Sequence, residues 1–404
     1  MLFIIDGLGD RPVSALGGLT PLEAAETPFM DSLASLGSYG LVDPLEPGEV
    51  PNTDSGAGML LGLLPEQADR LRRGPVEAAG AGRPLGPGEI AVRANFATLC
   101  EGRPGLIVQD RRAGRITKGV TELATSLGHM ELGDGVTAEF LPTDQHRGVV
   151  VLSGPGLDAE VSDTDPGDSE PALRLLRCKA LGPNAALAAA KVNAFIDQAH
   201  ERLQNHPVNV QRRRDGLEPA NGVITRGAGA GFRLDNLVAR HGAASAVVAG
   251  CNTILGLSRI FGHDTLHEPG FTADLDTDLD GKIHCAIGAL QDHDMVFVHV
   301  KAPDLCAHDR HPRQKRDFLE KLDRAMRPLE GQGAAIALAA DHTTDSNTGT
   351  HTGDPVPALL CPPMARSSNA AGAVRFGEAA CRDGNLARQS SHEFLLRTLR
   401  LIGF

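Results

Sequence analysis

Short, unbroken apolar runs alternate with amphipathic stretches along the 404-residue chain. The runs at 2–5, 149–152, 246–249, 295–300 and 334–340 have the length and flanks of strands buried on both faces. Between them, 184–204 is Ala-rich and places Leu187, Val192, Phe195, Ile196 and Leu203 at helical spacing, which predicts an amphipathic helix. The stretches 317–326 and 393–401 read likewise. Three apolar runs lead into ionisable residues: Asp6 follows the first, Asp304 comes four residues after Val300, and Asp341-His342 closes the last. Ligands of open parallel sheets gather beyond the carboxyl ends of the strands, so this placement predicts one site fed by distant segments.

Alternation of strand and helix at both ends of the chain predicts an α/β fold, a mostly parallel sheet flanked by helices and assembled from residues 1–72 and 241–404. The middle, 73–240, differs in texture. It is richer in loops and concentrates Arg111, Arg112, Arg115, Arg147, Arg212 to Arg214 and Arg226, and it reads as an inserted second α/β or α+β domain that binds substrate.

Composition narrows the partners. With 39 basic against 51 acidic side chains the net charge is −12, which disfavours nucleic acid or an anionic membrane as the main partner. Thirteen Phe, one Tyr and no Trp leave too little aromatic material for a base-stacking platform. The seven cysteines (100, 178, 251, 285, 306, 361 and 381) are odd in number and nowhere spaced C-x-x-C. Neither a disulfide framework nor a zinc ribbon is expected, and a reducing cytoplasm fits. The opening run Leu2–Ile5 is too short for a signal peptide, and no stretch of 18 apolar residues predicts a membrane span.

The chemistry lies in three clusters: Asp6; Asp304 with His308; and Asp341, His342 and His351. Carboxylates and imidazoles without thiolates suit Mn²⁺, Zn²⁺ or Fe²⁺ better than Ca²⁺. Asp304 and His308 stand four apart just after Pro303, a helix-starting residue, so both face one side and can share an ion. An isolated D-x-x-x-H is commonplace in a chain with 15 histidines; the conjunction of the three clusters is what points to metal. Two ions about 4 Å apart can clamp a phosphoryl group and activate an alcohol. The turn-forming stretch PNTDSG at 51–56 offers two hydroxyls for that role, Thr53 and Ser55. Without a metal, either one reads as a helix cap.

Over nearly its full length the chain resembles the archaeal-type cofactor-independent phosphoglycerate mutases of the alkaline phosphatase superfamily. The likeness is carried by IIDGLGDRP at the start, TPLEAAETPFMDSLA at 20–34, RGPVEAAGAG at 73–82, NFAT at 95–98 and QDRRAGRI at 109–116. Further on it rests on HRGVVVL at 146–152, VSDTDP at 161–166, TRGAG at 225–229, VHVKAPDLCAHD at 298–309, and ADHTT with HTGDPVP near the end.

The resemblance implies an alkaline-phosphatase-like domain holding two divalent ions, Mn²⁺ or Zn²⁺ first, with Mg²⁺, Co²⁺ or Fe²⁺ as alternatives, and no 2,3-bisphosphoglycerate. It places Asp304, His308 and His351 on one ion, and Asp6, Asp341, His342 and the nucleophile on the other. The family's nucleophilic Ser precedes an acidic residue, which puts Thr53 in its place; Ser55 would break that adjacency. Lys301 is expected to neutralise charge on the transferred phosphoryl group. Asp110, Arg111, Arg112, Arg115, His146, Arg147 and Arg226 are the candidates for holding the anionic substrate, 3-phosphoglycerate.

Three positions depart from the family. Ala57 stands where it has His, Ser153 where a basic residue is expected, and Gly167 where His is customary. These departures keep open a phosphatase or phosphotransferase acting on another small phospho- or phosphono-acid, and, third, a non-catalytic phosphometabolite-binding protein. Oligomeric state is not legible in the sequence.

Overall fold

The computed structural model describes residues 1–102, 105–167, 174–363 and 374–404. The chain divides into two compact units, Met1–Asp69 with Leu234–Phe404, and Arg70–Arg233.

In chain order the first unit opens with β1 (Leu2–Ile5) and β2 (Ser38–Asp43). The second unit carries β3 (Ile90–Gly102), β4 (Gly105–Asp110), β5 (His129–Glu131), β6 (Thr137–Pro142), β7 (Arg147–Ser153) and β8 (Gly222–Ala230). The first unit resumes with β9 (Ser245–Val248), β10 (Asp264–Leu266), β11 (Met295–Val300) and β12 (Ile336–Ala339), then β13 (Thr343–Asp345), β14 (Thr350–Thr352), β15 (Val356–Cys361) and β16 (Leu386–Ser390). The helices used below are α1 (Pro28–Leu36), α2 (Thr53–Leu60), α3 (Ala186–Gln204), α4 (Ala302–His308), α5 (Pro312–Met326) and α6 (Ser391–Leu401).

Eight strands of the first unit form one sheet in the order β10-β9-β11-β1-β12-β15-β2-β16. The β1 run LFII has no polar face, so it is stable only where both faces are covered, and all four residues are buried. It lies between β11 and β12 and parallel to both, with Ile5 opposite Val300 and Ile4 opposite Ala339. Their carboxyl ends therefore finish side by side, which places Asp6, Lys301 and Asp341 at one edge of the sheet. The parallel order breaks at β15, which runs antiparallel to both β12 and β2. A hairpin, β13 paired with β14, follows β12 and brings Thr344 opposite His351.

The second unit is built on an antiparallel sheet ordered β4-β3-β7-β6-β5, with β8 on the other side of β3. Helix α3 lays Val192, Phe195, Ile196, Ala199 and Leu203 into its core beside Phe96 and Phe140. No helix among the described residues is long and apolar enough to cross a membrane.

Candidate metal centre

The three neighbouring strand ends deliver the carboxylates, and local structure aims them. Asp6 follows β1 directly, and its neighbour Gly7 has φ +63°; a Cβ there would press on Thr344 Oγ1 and the Asp304 backbone. Gly7 N donates to Asp341 Oδ1 at 3.1 Å, tying the β1 and β12 ends together. Asp304 and His308 sit on α4, started by Pro303, and their side chains meet at 3.3 Å. His351 comes from β14.

Six ligand-bearing side chains thus assemble into two groups, Asp304 with His308 and His351, and Asp6 with Asp341 and His342. Within each group the ligand atoms lie within 4.8 Å of one another. Asp6, Asp304 and Asp341 are 0–1% exposed.

The hydrogen bonds around these side chains fit a cation. His308 Nδ1 and His351 Nδ1 donate to the carbonyls of Gly349 and Pro51, at 2.8 and 2.9 Å. Their Nε2 atoms consequently face each other at 3.1 Å, a spacing that only a shared proton or a metal ion makes favourable. Thr344 Oγ1 donates to Asp304 Oδ1 at 2.8 Å and so accepts from His342 Nδ1 at 3.0 Å. His342 Nε2 then turns a lone pair toward Asp341 Oδ2 at 3.2 Å, Asp6 Oδ1 at 3.4 Å and Thr53 Oγ1 at 3.4 Å. Asp341 Oδ2 is buried without a hydrogen-bond donor. Asp341 Oδ2 and His342 Nε2 thus face each other as two acceptors, a pairing that a positive charge or a proton between them makes favourable.

The electrostatics agree. Burial, and then the charge of Asp6, raise the Asp341 carboxyl well above its ordinary range. Burial also pushes His342 down to about 3, so it stays neutral, as a metal ligand must be. Lys301, at the end of β11, is the counter-charge: its Nζ reaches both oxygens of Asp6 at 2.9 Å, Asp304 Oδ2 at 2.7 Å and Thr53 Oγ1 at 3.1 Å. Burial disfavours a charged Asp304, yet Lys301 keeps it ionised and holds its pKa well below the ordinary value.

The two candidate hydroxyls separate clearly. The stretch read from sequence as a turn begins helix α2 instead, with Asn52 as its N-cap. Thr53 is the first helical residue and points to Lys301 and His342. Ser55 completes the capping box, accepting from Asn52 N at 3.0 Å and donating to Asn52 O at 3.1 Å. Ala57 is fully buried on the same helix.

In the second unit, the sheet register sets Arg93 of β3 opposite Arg226 of β8 and Asn95 opposite Arg147 of β7. Burial lowers the pKa of Arg93 to about 9; the charge of Glu77 opposes the shift, and those of Arg73, Arg226 and Arg147 add to it. Arg226 Nε is buried without a partner. Arg111 grips Asp165 through two bonds of 2.7 Å. Asp110 holds a turn, accepting from the backbone of Arg112 and Gly114 at 2.8 and 2.6 Å. His146 is pushed down to about 3 by burial and then by the charges of Arg147, Arg112, Arg93 and Arg115, so it is a neutral member of the cluster. Ser153 donates to Glu89 at 2.6 Å, and Gly167 N donates to Asp165 at 3.1 Å.

Sequence reading missed three contributors. His299, buried in β11, places Nε2 3.1 Å from Asp6 Oδ2; a lone polar residue inside MVFVHV was the available signal. Thr344 gave none beyond its nearness to His342. Arg93, nearly buried and 3.5 Å from Glu77, interrupts the apolar run of β3, which marked it.

A family model described as 2,3-bisphosphoglycerate-independent phosphoglycerate mutase matches residues 34–209. A protein of that name from Methanopyrus kandleri is 40% identical, covering 99% of this chain and 95% of its own length. One from Ignicoccus hospitalis is also 40% identical, over 96% and 93%. Among solved structures, a cofactor-independent phosphoglycerate mutase from Thermoplasma acidophilum is similar with TM-score 0.66 and 31% identity, over 100% of this chain and 99% of that one. A protein from Pyrococcus horikoshii gives TM-score 0.79 at 29% identity, over 99% and 96%.

Proposed function

The chain belongs to the 2,3-bisphosphoglycerate-independent phosphoglycerate mutases, and we propose that it interconverts 3-phosphoglycerate and 2-phosphoglycerate by metal-dependent transfer through a phospho-Thr53 intermediate. The observation that carries the finer reading is the assembly of six ligand side chains, all but His308 buried or half-buried, beside Thr53, whose Oγ1 lies 3.4 Å from His342 Nε2 and 3.1 Å from Lys301 Nζ. Asp304, His308 and His351 would hold one divalent ion, and Asp6, Asp341 and His342 the other, with Mn²⁺ or Zn²⁺ best suited to the donors. Bound there, such ions supply Lewis-acid stabilisation of phosphoryl oxygens and lower the pKa of a nearby alcohol.

The protein's own groups do the rest. Thr53 occupies the first turn of α2, where the helix dipole favours negative charge. Lys301 Nζ donates to Thr53 Oγ1, which stabilises the oxygen as it loses its proton and meets the incoming phosphoryl charge. His342 Nε2, unprotonated, lies 3.4 Å from the same hydroxyl, so an ion held on that nitrogen would sit beside the nucleophile. Arg147, Arg226, Arg93 and Arg112 are suited to the anionic groups of the glycerate, because guanidinium forks match carboxylate and phosphate. Glycerate held in this way takes the phosphoryl group back on its other hydroxyl. Among the described residues the seven cysteines form no disulfide, which suits work in a reducing cytoplasm.

The experiment is to supply the Mn²⁺-loaded protein with 3-phosphoglycerate and follow products by phosphorus NMR. 2-Phosphoglycerate is expected, without free phosphate. Release of phosphate alone would replace the mutase reading with a phosphatase, as Ala57, Ser153 and Gly167 left open. Binding with no exchange at all would mean a non-catalytic protein.

Gly56 tests how finely Thr53 is placed. A Cβ on Gly56 would run into the carbonyl oxygen of Asp341, so α2 approaches the β12 end as closely as it does only with glycine there. Gly56→Ala should shift Thr53 away from His342 and lower turnover by about 100-fold while the chain stays folded. Turnover within a few-fold of wild type, at unchanged circular dichroism, would show that this close approach does not govern the nucleophile.

A further inference from the structure

We propose that Lys315, acting with Asp10, is a positioning residue that locks the two backbone segments carrying Asp6, Asp341 and His342 into one unit, and so sets the geometry of that ligand group selectively. Lys315 lies on α5, outside both ligand groups, and is fully buried. Its Nζ donates to the carbonyl of Gly9 at 3.1 Å, to Asp10 Oδ2 at 2.7 Å and to the carbonyl of Thr344 at 3.3 Å. Gly9 lies three residues after Asp6, and Thr344 two after His342. These two segments also join directly, since Thr344 N donates to Gly9 O at 3.0 Å.

Asp10 closes the clamp from the other side. Ser346, just past β13, donates to it through both backbone N at 2.9 Å and Oγ at 2.6 Å. Asp10 N in turn donates to Glu378 Oε1 at 3.1 Å, and Glu378 Oε2 accepts from Thr20 at 2.6 Å. The loop after β1 and the hairpin strand after β12 are therefore held at one crossing by a buried ammonium. Asp304 and His308, on α4, are one step further removed: the clamp reaches that group through Thr344, whose Oγ1 donates to Asp304 Oδ1 and which lies opposite His351.

Stability alone does not call for this arrangement. A buried ion pair is commonly no better than well-packed apolar side chains of the same volume, because desolvation offsets the attraction. What an ammonium with three fixed acceptors adds is direction, and groups behind metal ligands govern affinity through direction.

The proposal rests on the two-ion reading, and uptake of two Mn²⁺ by wild-type protein tests that reading separately. Lys315→Met combined with Asp10→Asn removes the clamp without stranding a charge. Mn²⁺ binding would be followed by calorimetry and electron paramagnetic resonance at a temperature where the variant is folded. One ion should bind as in wild type and the other at least about 10-fold more weakly, with loss of the spin-coupled signal of the pair. The control is Asp323→Asn, also on α5, whose carboxylate holds Phe29 N and Met30 N of α1 at 3.2 and 2.8 Å. It should lower the melting temperature and bind both ions normally. Should the double variant not fold, Ser346→Ala removes a donor to Asp10 and leaves no new charge; it should weaken the same single ion. Unchanged binding of both ions, equal weakening of both, or the same loss in Asp323→Asn would overturn the proposal.

Discussion

Thr53→Ala is expected to reduce phosphoryl exchange by about 10⁴-fold or more, because it removes the atom that forms the intermediate and not merely a group that assists it. Ser55→Ala supplies the contrast. Among the described residues its hydroxyl bonds to Asn52, so its loss should cost about 1 kcal/mol of helix capping and leave turnover within a few-fold of wild type. The two hydroxyls are two residues apart on the same helix, so general damage to α2 would affect both variants alike. Mass spectrometry of acid-quenched enzyme after exposure to 3-phosphoglycerate reads the intermediate directly. Phosphate on a peptide containing both residues should vanish with Thr53→Ala and persist with Ser55→Ala. The reverse ranking would transfer the nucleophile to Ser55. Metal content should be close to unchanged in Ser55→Ala, since the Ser55 hydroxyl is engaged with the Asn52 backbone.

The strands that matter most were legible because their burial leaves no ambiguity of face. LFII and MVFVHV have apolar residues on both sides, and such runs belong at the centre of a parallel sheet. That they are neighbours was not legible. Register between strands almost 300 residues apart depends on packing that no local pattern records; Asp6 and Asp304 are assigned to one site by their shared place just beyond strand ends, not by any signal for strand order. The antiparallel entry of β15 escaped for the same reason.

Helix α2 shows the limit of local signals. Its sequence TDSGAGML carries two glycines, each costing about 1 kcal/mol in a helix, so the stretch looked like a turn. Tertiary packing outweighs that cost, and Gly56 is present because the backbone of Asp341 leaves no room for a side chain. Poor helix propensity and close approach to the site have one origin. The clamp at Lys315 was equally hidden: a lysine in the amphipathic helix Pro312–Met326 reads as solvent-facing until the fold shows it fully buried.

Lys301→Met should divide the protein's stability into two regimes, which makes it the sharpest electrostatic test of the centre. In wild type the Lys301 ammonium lies between Asp6 and Asp304, with Asp341 buried nearby. Deleting that charge leaves carboxylates confined together in a low-dielectric setting, and breaking a buried pair in this way costs about 3–5 kcal/mol. The loss should appear in full when the protein is stripped with chelator. Divalent cations neutralise the same carboxylates, and a ligand at about 1,000 times its dissociation constant contributes about 4 kcal/mol to the folded state. Urea unfolding of wild type and variant, each with chelator and with Mn²⁺, should therefore show a large gap in the first condition and a small one in the second. Catalysis should not recover in parallel. The donor to Thr53 Oγ1 is still missing, and loss of one such preorganised donor costs about 10²–10³ in turnover. Recovery of stability without recovery of rate would separate the two duties of Lys301, counter-charge and hydrogen-bond donor to the nucleophile. An equal stability gap in both conditions would mean that Lys301 and the cations do not share carboxylates, and the two-group centre would have to be redrawn.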